Sequence, residues 1–276
     1  MKLVKVKFKI LSALSPKLAA KEALSLFQKP HFKKMREREK DFFTKARELR
    51  IKNEGEDIIL YALGDEKGKA VLLVHGWDSN PGSMSGIADE LVKNGFYVLA
   101  FNVPAHGVSR LKKTNMLDTS ELIIKVLDTY KHLGRFSFVT HSFGSGAVSF
   151  ALNKSKIKVD KLVFVTSPDK LVDVFKDFAD FLGLNSSAFK YMISITEERF
   201  NMSFEQMQIS KLIQKVDYNG FLIIHDKEDK VLPFENAQRI HSLNPQSILY
   251  ATNSKGHYRI LWDKDVLKKI ASFLLD

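Results

Sequence analysis

From Lys69 onward the chain alternates short apolar runs with amphipathic ones, and this alternation limits the possible architectures most. Ala70–Val74, Phe96–Phe101, Phe136–Val139, Val159–Val165, Gly220–Ile224 and Ser247–Ala251 are short and rich in Val, Ile, Leu and Phe. Runs of that length and composition read as buried strands. Between them, Ser83–Asn94 places Ile87, Leu91 and Val92 on one helical face, with Gly95 as its C-cap, and Thr119–Leu133 ends before Gly134. The last run, about Tyr258–Leu275, also reads as a helix. Strands that alternate with helices form βαβ units, so the expectation is a mostly parallel central sheet flanked by helices. In such sheets functional groups gather at the carboxyl ends of the strands.

The alternation fails once. Between Ser167 and Asn219 no run reads as a strand. Leu171, Val174, Phe175, Phe178, Phe181 and Leu182 follow helical spacing, and Phe189, Met192 and Ile193 suggest a second helix. Ser203 with Gln206 has the form of a capping box opening a third. A helical insertion of about 167–219 at the carboxyl end of the sheet would act as a lid. Its Phe and Met side chains are expected both to fasten it to the body and, for some of the Phe residues, to line an apolar pocket.

The net charge of +11 belongs to one segment. Residues 1–50 hold 15 Lys or Arg against 5 Asp or Glu, and the remainder 28 against 27, so the body is nearly neutral. This local excess argues against nucleic-acid binding as the role of the whole protein. Residues 1–53 are expected to form a basic helical or arm segment ahead of a main domain at 54–276. Within residues 1–14, Val4, Val6, Phe8 and Ile10 alternate with lysines as in a strand, while Leu3, Ile10, Leu11, Leu14 and Leu18 fit a helical face. Either form permits contact with an anionic membrane, with Phe8, Ile10 and Leu11 inserted, or simple packing on the body. The lysines interrupt any signal-peptide core, and no apolar run is long enough to span a bilayer. The expected location is cytoplasmic, or peripheral to the inner membrane face. With no cysteines, thiolate catalysis, thiolate metal sites and disulfides are excluded.

The chemistry centres on Thr140-His141-Ser142-Phe143-Gly144, a tight turn between a strand and a helix that would lift Ser142 clear of the backbone. A serine hydroxyl needs a base, an orienting acid and oxyanion donors to act as a nucleophile. His257, after the last strand, is the candidate base, with His225 a weaker rival; His75, His106 and His141 sit in turns and read as loop ties. Asp229 is the favoured acid over Asp226, and Asp169, after the preceding strand, is the outside candidate. The backbone N–H groups of Trp77 and Phe143 are the oxyanion-hole candidates.

The order Ser142, Asp229, His257 resembles the α/β-hydrolase superfamily, whose nucleophile elbow is G-x-S-x-G. The resemblance covers about residues 54–276 and includes His75-Gly76-Trp77, Pro104-Ala105-His106-Gly107-Val108-Ser109, Val231-Leu232-Pro233 and Gly256-His257. It implies an α/β-hydrolase fold with a helical lid insertion and a serine esterase or lipase-like activity on an ester or thioester with an apolar acyl portion. It implies no metal or organic cofactor. Two departures stand out: Thr140 replaces the first elbow glycine, and Asn102 stands where many relatives have an acid. The alternatives are an amide or peptide hydrolase, and a hydrolase-fold protein that binds a ligand or partner without turnover.

Overall fold

The structure, a computed structural model, describes residues 2–31, 35–53 and 56–276. Met1, Lys33 and Lys34 of the basic segment and Glu54 at the expected domain boundary lie outside the described residues.

In chain order the elements are α1 (Lys2–Leu14), α2 (Pro16–Phe27), α3 (Glu37–Lys45), β1 (Arg47–Ile51), β2 (Ile58–Leu63), β3 (Ala70–Val74), α4 (Ser85–Lys93), β4 (Tyr97–Phe101), α5 (Met116–Thr129), β5 (Ser137–His141), α6 (Phe143–Ser155) and β6 (Val159–Val165). Then follow α7 (Leu171–Leu182), α8 (Ser186–Phe200), α9 (Ile209–Ile213), β7 (Tyr218–Asp226), α10 (Glu235–Leu243), β8 (Ile248–Thr252), α11 (Gly256–Arg259) and α12 (Lys264–Leu275). The described strands form one sheet in the order β1-β2-β4-β3-β5-β6-β7-β8. The β1–β2 and β2–β4 pairs are antiparallel, and all pairs from β4 to β8 are parallel.

Period-2 alternation divides the core into two layers. Leu72, Leu99, Phe138, Phe164 and Phe221 face α5, α6, α9 and α10, meeting Ile123, Val126, Ala147, Ile209 and Ile240. Val71, Leu73, Val98, Val139, Val163, Leu222 and Ile224 face the other way, against Ile87 and Leu91 of α4 and Val266, Ile270 and Leu274 of α12. With both faces covered, the central strands can be almost wholly apolar, which is why they read as unbroken runs.

The amino-terminal segment departs furthest from expectation. Residues 2–14 form a helix: Phe8 and Ser12, four residues apart, are buried, so the strand-like alternation of valines and lysines is not used. Phe8 joins Ala20, Ala23 and Leu24 of α2, Leu182 of α7 and Met192 of α8 in a separate apolar cluster. Phe27 of α2 stacks obliquely on Phe175 and Phe178 of α7, at centroid distances of 4.7 and 5.0 Å. α1 and α2 therefore pack against α7 and α8, the packed form that the sequence left open. The sheet does not begin after residue 53. β1 lies ahead of the expected boundary, in the basic segment, yet pairs with β2. Only Ile51 of β1 is fully buried, so its charged, exposed residues hide the strand pattern of an edge.

The inserted region contains α7, α8 and α9. Ser203 and Gln206 do exchange capping hydrogen bonds, at 2.9 and 3.3 Å, but they open only a turn before α9. The terminal helix is broken: α11 and a short 3-10 turn precede α12, whose N-cap Asp263 accepts from the N–H groups of Asp265 and Val266.

Candidate active site

Ser142 sits between β5 and α6 at φ 51° and ψ −117°, a conformation that L-residues rarely adopt. Neighbouring contacts hold it there. The Ser142 N–H donates to the carbonyl of Val165 on β6 at 3.0 Å, and Ser145 N–H donates back to the Ser142 carbonyl at 2.9 Å. Gly144 lets the turn pass β3: a Cβ there would lie 2.3 Å from the Val74 carbonyl oxygen. Strain of this kind costs on the order of 1–3 kcal/mol and persists only where surrounding structure over-determines it.

Asp229 and His257 meet directly. His257 Nδ1 lies 2.8 Å from Asp229 Oδ2, and both side chains are buried. The other carboxylate oxygen accepts the N–H groups of Val231 (2.7 Å) and Leu232 (3.0 Å). Burial alone would raise the Asp229 pKa. The hydrogen bond and charge of His257, with the Leu232 and Val231 amides, outweigh it and hold the carboxyl below its ordinary value. An ionised Asp229 accepts the hydrogen bond of Nδ1–H, which fixes the tautomer whose Nε2 lone pair can accept from a hydroxyl.

His257 is brought to the elbow by the residue before the serine. His141 Nε2–H donates to the His257 carbonyl at 2.9 Å, and the two rings lie 4.8 Å apart. Burial pushes the His141 pKa down to about 3, so the ring is neutral. Its Nδ1 is buried without a hydrogen-bond partner and faces Gly76, where a Cβ would lie 2.7 Å from it and 3.2 Å from Ser142 Cβ. Gly76 therefore carries the loop after β3 close over the serine. The next residue, Trp77, packs its ring 5.2 Å from that of Phe143. The Phe143 N–H opens α6, where helix geometry provides no intrahelical acceptor. The Asp78 N–H is already donated to His106 Nε2 at 3.0 Å.

The family profile described as "alpha/beta hydrolase fold" matches residues 69–191. A serine hydrolase-like protein of Dictyostelium discoideum is 24% identical over 217 residues, or 76% of this chain and 55% of that protein. The chain thus spans about half the length of that relative. An esterase of Pyrococcus furiosus superposes with a TM-score of 0.67 at 19% identity, over 90% of this chain and 98% of that one. A membrane phospholipase A, described as a bacterial virulence factor, gives 0.64 at 15% identity, over 99% and 98%. A bromoperoxidase of Bacillus anthracis gives 0.62 at 18% identity, over 83% and 99%. The chain has the α/β-hydrolase fold.

Within the hydrolase fold the other acids have different duties. Asp226 accepts from Thr252 Oγ1 (2.7 Å) and the Lys255 N–H (2.9 Å), tying the loops after β7 and β8 together. Asp169 accepts the Ser210 N–H at 2.9 Å and pairs with Arg239 at 3.2 Å, fastening the insertion to α10. His225 is no nearer to being a base. Its Nε2–H donates to the Leu232 carbonyl at 2.9 Å, and burial lowers its pKa. His75 and His106 tie loops: His75 Nε2 accepts the Val103 N–H at 2.9 Å, and His106 Nδ1–H donates to the Pro104 carbonyl at 3.0 Å.

Thr140 fits within the strand that leads to the turn. It is the fourth residue of β5, paired with Val74 and Phe164, and its hydroxyl meets Ser145 Oγ at 2.7 Å and the Val163 carbonyl at 3.3 Å. Asn102 gives its amide to Tyr61 Oη at 3.4 Å and leaves Oδ1 buried without a partner. A groove of about 870 Å³ lies between β2 and α5, lined by Ile58, Asn102, Leu111, Glu121 and Lys125 among others. None of Ser142, Asp229 or His257 lines it, so size does not make it the reaction site. Phe175 and Phe178 of α7 pack on Phe27 of α2.

Sequence reasoning missed three supports of the site: the His141–His257 bridge, the Ser145 partner of Thr140, and the His31 N–H, which donates to Asp78 Oδ1 at 2.6 Å. The residue types were visible. No sequence signal connects positions 116 or 47 residues apart.

Proposed function

We propose that the protein is a serine hydrolase of carboxylic esters or thioesters with an apolar acyl portion. The observation that carries this reading is the 2.8 Å Asp229–His257 hydrogen bond, with His257 tied through His141 to the strained Ser142 turn. In this mechanism Ser142 Oγ attacks the acyl carbon as its proton passes to His257 Nε2. Asp229 stabilises the resulting imidazolium, and the Trp77 and Phe143 N–H groups receive the oxyanion. His257 then returns the proton to the departing alcohol or thiol. In the second half, water gives its proton to His257 while its oxygen attacks the acyl-enzyme, and Ser142 is released with its proton restored. The preference for an apolar acyl group is supported by the Trp77–Phe143 ring pair beside the serine. The names of the esterase and phospholipase with this fold favour ester over amide substrates.

The test is fluorophosphonate labelling alongside hydrolysis of short aryl esters, in the wild type and Ser142→Ala. The expected result is labelling and turnover that both vanish in the variant. Folded wild-type protein that takes no label and hydrolyses no ester would overturn the reading.

A further inference from the structure

With Phe8 facing the body, the opposite side of α1 is exposed among the described residues. Leu3, Val6, Ile10 and Leu14 follow one another at helical spacing, and Leu18 near the start of α2 is exposed as well. Their fractional exposures are 86, 52, 56, 80 and 47%. A core-facing helix would bury such a stripe; this one turns it outward while burying the opposite side. Lysines flank it. Lys9 and Lys7 project from opposite sides of the stripe on a helical wheel, and Lys5, Lys17 and Lys21 are also exposed. Residues 1–29 contain seven lysines and one acid, Glu22, which pairs with Lys7 at 2.6 Å. On the adjoining α7, Asp173, Asp177 and Asp180 are exposed, and two of them are already paired, Asp180 with Lys176 at 2.8 Å and Asp173 with Arg239 at 3.8 Å.

We propose that the outward face of α1 and the start of α2 docks on an anionic lipid bilayer. Charge selects this occupant. An apolar stripe edged by lysines sits at a headgroup boundary with its aliphatic side chains inserted and its ammonium groups on phosphates. A second copy of the chain would instead set lysines against lysines. The inserted set is Leu3, Val6, Ile10 and Leu14. Phe8 and Leu11, expected from the sequence to insert, are respectively buried and half-buried against the protein. The docked helices are those that grip α7 and α8, so the membrane would lie on the lid side of the molecule.

The experiment is co-sedimentation of the full chain with phosphatidylcholine vesicles and with mixed phosphatidylcholine–phosphatidylglycerol vesicles, joined by sedimentation velocity without lipid. The wild type is expected to bind the mixed vesicles, to bind the neutral ones much more weakly, and to lose binding at high salt. Ile10→Glu and Leu14→Glu should each weaken binding by about tenfold or more. Both positions are exposed, so the melting temperature and hydrolysis of a soluble short ester should not change. Lys9→Glu should reduce binding to the mixed vesicles only. Equal binding by wild type and the Ile10→Glu/Leu14→Glu double variant would overturn the proposal. So would a wild type that ignores anionic vesicles, whether monomeric or in a dimer that the double variant dissociates.

Discussion

Two buried histidines make the fold sensitive to mild acid. His75 and His141 are both fully enclosed, and burial pushes each pKa down from 6.5 to about 3. The unfolded chain takes up a proton at each ring once the pH falls below 6.5, whereas the folded chain refuses it until about 3. Stability from these rings is therefore complete above 6.5 and is lost progressively below it. The slope is about 1.4 kcal/mol per pH unit for each ring, and the loss by about pH 5 is about 2 kcal/mol each, or about 4 kcal/mol together. His225, also lowered by burial, adds to the same slope. The lowered carboxylates do not interfere: Asp226 and Asp229 lose their contribution only as the pH falls below 3.8. The measurement is urea denaturation at several values from about pH 7.5 to about pH 5, a range within which the two-state extrapolation can be checked through constant m. In His141→Gln the side-chain amide can still donate to the His257 carbonyl, but nothing titrates, so the pH-dependent loss should shrink by about 2 kcal/mol. A wild-type loss below about 1 kcal/mol, or an unchanged loss in His141→Gln, would refute the reasoning.

Two further outcomes follow from the geometry. Asp229→Asn should lower kcat for a short ester by about 10³–10⁴-fold, because an amide stabilises the wrong tautomer of His257. Asp226→Asn should leave kcat within about tenfold while costing about 1–2 kcal/mol of stability through the Thr252 and Lys255 bonds. Equal kinetic losses in both variants would remove the distinction between the two acids. Gly144→Ala should destabilise the protein and abolish fluorophosphonate labelling, since the added Cβ meets the Val74 carbonyl at 2.3 Å. A variant with wild-type melting and labelling would show that the elbow does not depend on this close approach.

Much of the fold was legible because it is local. Strands buried on both faces must be apolar throughout, so β3 to β7 stood out as runs. Helices α4 and α5 kept their spacing and their glycine stops. Ser142 was legible for the same reason, since a strand, a sharp turn and a helix are written in consecutive residues. Elements whose state depends on distant partners were not legible. β1 is an edge strand with one fully buried side chain, and its charges look like those of the helix before it. The first fourteen residues carry two periodicities at once, and only the apolar surface of α7 and α8 chooses the helical one by burying Phe8. The site divides along the same line. Sequence order supplied Asp226 and Asp229 as rival acids three residues apart, with nothing local to separate them beyond depth in the loop. The tertiary structure turns Asp226 toward Thr252 and Lys255 and Asp229 toward His257, because the register of β7 on β8 pairs Asp226 with Thr252 and leaves the following loop to reach the imidazole. By itself, then, the sequence determined the order of the elements from β3 to β7 and the turn that holds Ser142. The choice of acid, the outward face of α1 and the His141 bridge were decided by contacts between residues far apart in the chain, which no local pattern encodes.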